Sequence, residues 1–129
     1  MRRVFIMDDN ALVLKLYTDL LKSLGCEVQS CSNSLTAIDL AKEFQPDIAF
    51  LDIMMPNESG LSIGRRLRAI MVDLPIFALT AMSPDLIEDQ LVEAGFTGLL
   101  RKPCSTEEIQ KLLQSPQGEV ATTIIGGRL

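Results

Sequence analysis

Histidine and tryptophan are both missing from this chain of 129 residues, and tyrosine occurs once. Without histidine there is no Ser-His-Asp relay and no imidazole metal site inside the chain. Cysteine is scarce too, with three residues at 26, 31 and 104, and none stands in a Cys-x-x-Cys spacing. Cys26 and Cys31 lie an odd number apart on one β candidate, so they are expected on opposite faces, as reduced thiols. No apolar run approaches a membrane span. The opening run Val4-Phe5-Ile6-Met7 is too short for a secretory core before Asp8. A cytoplasmic protein with no membrane partner is expected. Bases are outnumbered, 12 against 17 acids, for a formal charge of −5. That balance argues against direct binding to nucleic acid or an anionic surface.

What the chain does have is apolar material: 47% hydrophobic residues against 22% charged, enough for one folded domain with a single core. Short apolar runs alternate with helical periodicities. Strands are expected over 3–7, 27–32, 48–52, 75–80 and 98–101. Helices are expected over about 11–24, 34–44, 60–71, 84–94 and 105–114. Leu12, Leu16, Leu20 and Leu24 mark the first helix's apolar stripe. Leu35, Ile38, Ala41 and Phe44 mark the second, and Ile63, Leu67 and Ile70 the third, with Arg65, Arg66 and Arg68 mainly outward. Asn33 or Ser34 caps the second helix. Ser83-Pro84-Asp85 opens the fourth, and Ser105 with Glu108 has capping-box spacing for the last. The connections are too short and too helical for hairpins. The result is an α/β fold, five βα units forming a doubly wound, five-stranded parallel sheet with right-handed crossovers.

Residues 116–129 depart from this pattern. A β-branched run, Val120 to Ile125, lies among Pro116, Gly118, Gly126 and Gly127. It reads as a linker first, with an extra edge strand or a dimer contact as alternatives.

In a parallel sheet all strands end on one edge, where ligands of open α/β folds bind. Asp8 and Asp9 follow the first strand, Asp52 ends the third, Thr80 ends the fourth and Lys102 follows the fifth. Singly each has a plainer reading: a helix-terminal charge pair, a cap, a strand residue, a solvated ammonium. Jointly they place three carboxylates, a hydroxyl and an ammonium in one crevice. Three crowded acids repel unless protons or a cation relieve them, and a hard divalent ion, Mg2+ first, suits oxygen donors.

The string Asp8-Asp9-Asn10, Asp52-x-x-Met55-Pro56-x-x-x-Gly60, Thr80-Ala81, Ala94-Gly95 and Lys102-Pro103 resembles the receiver domain of bacterial two-component response regulators. The likeness spans residue 2 to about 114 and implies the flavodoxin-like strand order 2-1-3-4-5, with a receiver domain over 1–115. It further implies that Asp52 accepts a phosphoryl group from a sensor histidine kinase or histidine phosphotransfer protein. Asp9 would be the main acidic ligand of Mg2+, with Asp8 acting through water and Asp52 and the Met54 carbonyl completing the protein's share. Thr80 and Lys102 would bind phosphoryl oxygens, the lysine aimed by a cis peptide to Pro103. The output surface would lie around Leu86 to Leu113, facing a downstream protein or fused output domain, with homodimerisation on phosphorylation as a further possibility. Such a domain is a switch, and its only chemistry is self-phosphotransfer and slow loss of the phosphoryl group.

Two departures stand out. Leu99 occupies the position three before Lys102 where the resembled family carries an aromatic, which puts its usual aromatic switch in doubt. Met54 and Met82, two residues after Asp52 and Thr80, offer no strong hydrogen bond to a hydrolytic water, so loss of the phosphoryl group is expected to be slow. Two rivals remain. One is a degenerate receiver acting as a docking module. The other is an aspartyl-phosphate phosphohydrolase of the haloacid dehalogenase type, whose second acid is replaced here by Met54.

Overall fold

A computed structural model describes residues 2–114 and the strand at 123–124. In chain order the elements are β1 (Arg3–Met7), α1 (Ala11–Ser23), β2 (Glu27–Cys31), α2 (Ser34–Phe44), β3 (Ile48–Asp52) and α3 (Gly60–Ile70). They continue with β4 (Ile76–Thr80), α4 (Pro84–Ala94), β5 (Gly98–Arg101), α5 (Thr106–Gln114) and β6 (Thr123–Ile124). The sheet runs β2-β1-β3-β4-β5-β6. Its first five strands are parallel, in the expected order. β6 lies antiparallel on β5, with Gly98 opposite Ile124 and Leu99 opposite Thr123. At these two residues the edge-strand alternative holds; the rest of 116–129 lies outside the described residues.

Alternation along the central strands divides the core into two layers. Phe5, Met7, Ala49, Leu51, Ile76, Ala78 and Leu99 face α2, α3 and α4. Val4, Ile6, Ile48, Phe50, Phe77, Leu79 and Leu100 face α1 and α5. All five residues of β3 and of β4 are buried. Each fully buried large apolar side chain stabilises the fold by roughly 1.5–3 kcal/mol, so these two strands are the most firmly held in the sheet. Cys31 joins the first layer and Cys26 the second, the opposite facing that their odd spacing implies. All three thiols are free.

The helix faces needed correction. On α1 the buried residues are Leu14, Tyr17 and Leu21, whereas Leu12 is 78% exposed and Leu16 66%. A strict four-residue stripe drifts by about 40° per step around a 3.6-residue helix. Leu12 and Leu16 therefore start off the sheet, and the stripe only reaches it at Leu20 and Leu24, which pack partly against the core. On α2 the expected residues are three apart and drift the other way, by about 60° per step; Leu35 is exposed, and Ser34, Ala37 and Ala41 are the buried residues. On α3, Ile70 is exposed and Arg68 is half-buried, its guanidinium donating to the carbonyls of Gly95, Met71 and Val72.

The caps follow the sequence closely. Asn33, not Ser34, caps α2, its side chain accepting from the Leu35 N–H. Ser83 precedes α4 with Pro84 at its first position, although its side chain makes no capping bond. Ser105 and Glu108 form the reciprocal pair: each side chain accepts from the other's backbone N–H, at 3.1 and 2.9 Å. No helix among the described residues is long and apolar enough to cross a membrane.

Candidate functional site

The carboxyl ends of β1, β3, β4 and β5 deliver the predicted residues to one edge. Asp8 follows β1 and is 1% exposed; Asp52 closes β3 at 6% and Thr80 closes β4 at 1%. Asp9 is exposed. One carboxylate oxygen from each of Asp8, Asp9 and Asp52 lies within 4.8 Å of the others. Lys102 enters from beyond β5, across a cis bond to Pro103, and its Nζ stands 2.7 Å from Asp8 Oδ2 and 3.7 Å from Asp52 Oδ2.

Backbone amides hold the two buried acids in place. Asp8 Oδ1 accepts from the Asn10 N–H at 2.9 Å, and Asp52 Oδ1 accepts from the Met54 N–H at 3.1 Å. The second oxygen of each acid is thereby turned toward Lys102. Thr80 Oγ1 accepts from the Met82 N–H at 3.0 Å, which leaves its own proton free to donate. The Lys102 N–H donates to the Thr80 carbonyl at 2.8 Å, tying the ends of β4 and β5 together beside the crevice.

Burial is the largest influence on Asp52, and it pushes the carboxyl up from 3.8 to about 6. The Lys102 ammonium pulls the other way, Asp8 pushes up again, the Met54 N–H lowers and Asp9 raises. Three clustered carboxylates beside one ammonium, with one acid holding its proton more tightly than usual, is a donor set short of positive charge. Its oxygens suit a hard divalent cation such as Mg2+, so the residues present fit that ion.

The loop from β3 to α3 is strapped around Asp52. The Ile53 carbonyl accepts from both the Met55 and Gly60 N–H groups. Gly60 rests directly on the chain: a Cβ there would sit 2.1 Å from the Asp52 carbonyl oxygen, so only glycine fits. Glu58 of this loop accepts from the Ser62 hydroxyl and the Arg66 guanidinium of α3. The sequence marked Gly60 only as a motif letter and Ser34 only as a candidate helix cap. That residue's hydroxyl, 2% exposed, bonds to the Pro56 carbonyl and the Glu58 N–H of this loop. A separation of 22 and 24 residues has no local period that would reveal it.

The departures also take definite places. Leu99 is fully buried among the α4-facing residues. Met54 is 70% exposed at the loop, whereas Met82 packs partly against the core. Cys104 packs partly against the core layer of α1 and α5, its thiol 3.5 Å from the Tyr17 hydroxyl and pushed up by burial, which disfavours the thiolate.

With this geometry in view, the comparisons with known proteins are consistent with one another. Residues 4–114 match the response regulator receiver domain model. The polar-differentiation response regulator DivK of Brucella anthropi is 32% identical over 120 residues, covering 92% of this chain and 98% of that protein. Its counterpart in Brucella ovis is 31% identical over the same length, with the same coverage. Among solved structures, the Vibrio cholerae chemotaxis protein CheY4 superposes with a TM-score of 0.84 at 26% identity, over 88% of this chain and 97% of that one. A receiver domain protein from Methanospirillum hungatei reaches 0.85 at 17% identity, over 92% and 95%, a likeness of fold alone. The chain belongs to the response regulator receiver family, whose members are signalling domains.

Asp52→Asn tests the electrostatics. Because the folded protein holds the Asp52 proton more tightly than the unfolded chain, stability falls as pH rises from about 4 to about 6 and stays lowered above that. In metal-free buffer at pH 7 the substitution is expected to stabilise by on the order of 2 kcal/mol, with the gain vanishing near pH 4. Urea titrations of both proteins at the two pH values check this.

Proposed function

We propose that Asp52 accepts a phosphoryl group from a phosphohistidine on a sensor histidine kinase or histidine phosphotransfer protein, and that the face formed by α4, β5 and α5 responds. The observation that carries this reading is a buried carboxylate with an ammonium at 3.7 Å and two more acids within 4.8 Å. At pH 7 Asp52, at about 6, is mostly ionised and therefore competent as a nucleophile. An Asp52 carboxylate oxygen bonds to phosphorus as the donor's phosphorus–nitrogen bond breaks, the electron pair leaving on the imidazole nitrogen.

The chain's own groups then stabilise the product. Lys102 donates to a phosphoryl oxygen, exchanging part of its contact with Asp8. Thr80 donates its free proton to another oxygen, and since its backbone carries the Lys102 N–H, the ends of β4 and β5 move together. Asp8, Asp9, Asp52 and the Met54 carbonyl would hold Mg2+, whose charge offsets that of the transferring group. Turning a two-state equilibrium from 1:99 to 99:1 requires roughly 5.5 kcal/mol of difference between the states. The new charge and acceptor oxygens at Asp52 are the source of that difference.

In this reading residues 1–115 form the receiver and 116–129 a tail, and the protein works in the cytoplasm without contacting nucleic acid or membrane. It is a phosphoacceptor rather than an enzyme, and its downstream partner is a separate protein or a fused output domain.

Incubation with Mg2+ and acetyl phosphate is expected to add one phosphoryl group by intact mass, and Asp52→Asn to add none. An adduct that survives Asp52→Asn contradicts the assignment, and sustained phosphate release from many monoesters favours a phosphohydrolase. Decay of the adduct tests the methionines. Met82→Asn is expected to speed it on the order of tenfold by orienting water. An unchanged rate removes that role.

A further inference from the structure

We propose that Ser34 is a positioning residue for the acceptor site, a buried clamp that fixes the loop presenting the Met54 carbonyl. The proposal rests on the receiver reading above and assigns a role to a residue outside the acidic crevice. Ser34 is the first residue of α2, yet the helix does not need its side chain, because Asn33 supplies the cap. Its hydroxyl instead reaches the loop between β3 and α3. It donates to the Pro56 carbonyl at 2.9 Å and accepts from the Glu58 N–H at 3.1 Å, at 2% exposure.

Those two backbone groups flank Asn57, whose φ of 71° places it in the left-handed region. A hydroxyl is the one small group that can serve the carbonyl and the amide at once, bridging the turn from outside. Asparagine tolerates this conformation better than most residues but does not impose it, so an external contact is what selects it. Within the segment, the Met54 N–H is fixed on Asp52, and the Ile53 carbonyl takes the Met55 and Gly60 amides. Ser34 supplies the side-chain bonds that this loop's backbone receives from α2. The clamp therefore couples α2 to the peptide that would ligate Mg2+. Without it the carbonyl of Met54 samples more orientations, and the ion loses a pre-set ligand.

Two variants of the full chain separate this from a general loss of helix stability. Ser34→Ala deletes the clamp and keeps the cap; Asn33→Ala deletes the cap and keeps the clamp. Amide hydrogen exchange in metal-free protein and Mg2+ affinity by calorimetry are the readouts. Ser34→Ala is expected to speed exchange at Glu58 about tenfold and to weaken Mg2+ binding by about fivefold to tenfold, the loss of a buried hydrogen-bonding group. Asn33→Ala is expected to leave both within about twofold. Equal effects of the two variants, or an unchanged Glu58 amide in Ser34→Ala, overturn the proposal. If the unsubstituted protein binds no Mg2+, the receiver reading fails, while the Glu58 amide still reports on the clamp.

Discussion

Crowding of negative charge at one edge of a parallel sheet is the constraint on which the site depends. The fold brings Asp8, Asp9 and Asp52 within 4.8 Å of one another and buries two of them. Two like charges at such a distance disfavour each other by roughly 3.5 kcal/mol at an effective dielectric constant near 20. Lys102 offsets part of this through its contact with Asp8, and Asp52, desolvated by burial first and crowded by Asp8 and Asp9 second, holds its proton more tightly. A site with charge left to neutralise is suited to a cation, and one with a lysine already turned inward is suited to an anion carried by that cation. The same imbalance thus suits both ligands that the proposed phosphoryl acceptor would bind.

Rigidity of the surroundings is what keeps the acids from simply moving apart. β3 and β4 are buried on both faces, and Met54 and Asn10 lock one oxygen of each buried acid. Gly60 lies against the Asp52 carbonyl, and Ser34 holds the far side of the same loop. Relief therefore has to come from what binds. Here the leucine at 99 matters. It is buried and paired on both sides, with Ala78 and with Thr123, so the position is set by packing instead of by an aromatic ring that could swing out.

Much of this was legible in the sequence, for identifiable reasons. Strand ends could be read because fully buried parallel strands are short apolar runs that stop on polar residues, as Phe50-Leu51-Asp52 does. Caps could be read because Asn33 and Ser105 act within three residues of themselves. Helix faces were read less well, since Leu12 and Leu16 satisfy helical spacing while the sheet selects Leu14, Tyr17 and Leu21. The Ser34 clamp and the fit of Gly60 against Asp52 could not be read at all. Both are contacts of shape, made where separate parts of the backbone meet, and no period encodes them. The strand at Thr123–Ile124 was only one of three readings, because a β-branched run does not say which edge it joins.

The carboxyl titration of Asp52, followed by carbon NMR in metal-free protein and again with saturating Mg2+, tests the central claim most directly. A midpoint near 6 without metal that drops by more than about one pH unit with Mg2+ is the predicted result. An ordinary midpoint near 4 under both conditions would contradict the account, because neither burial nor the neighbouring acids would then be acting on Asp52 and no cation would be relieving them.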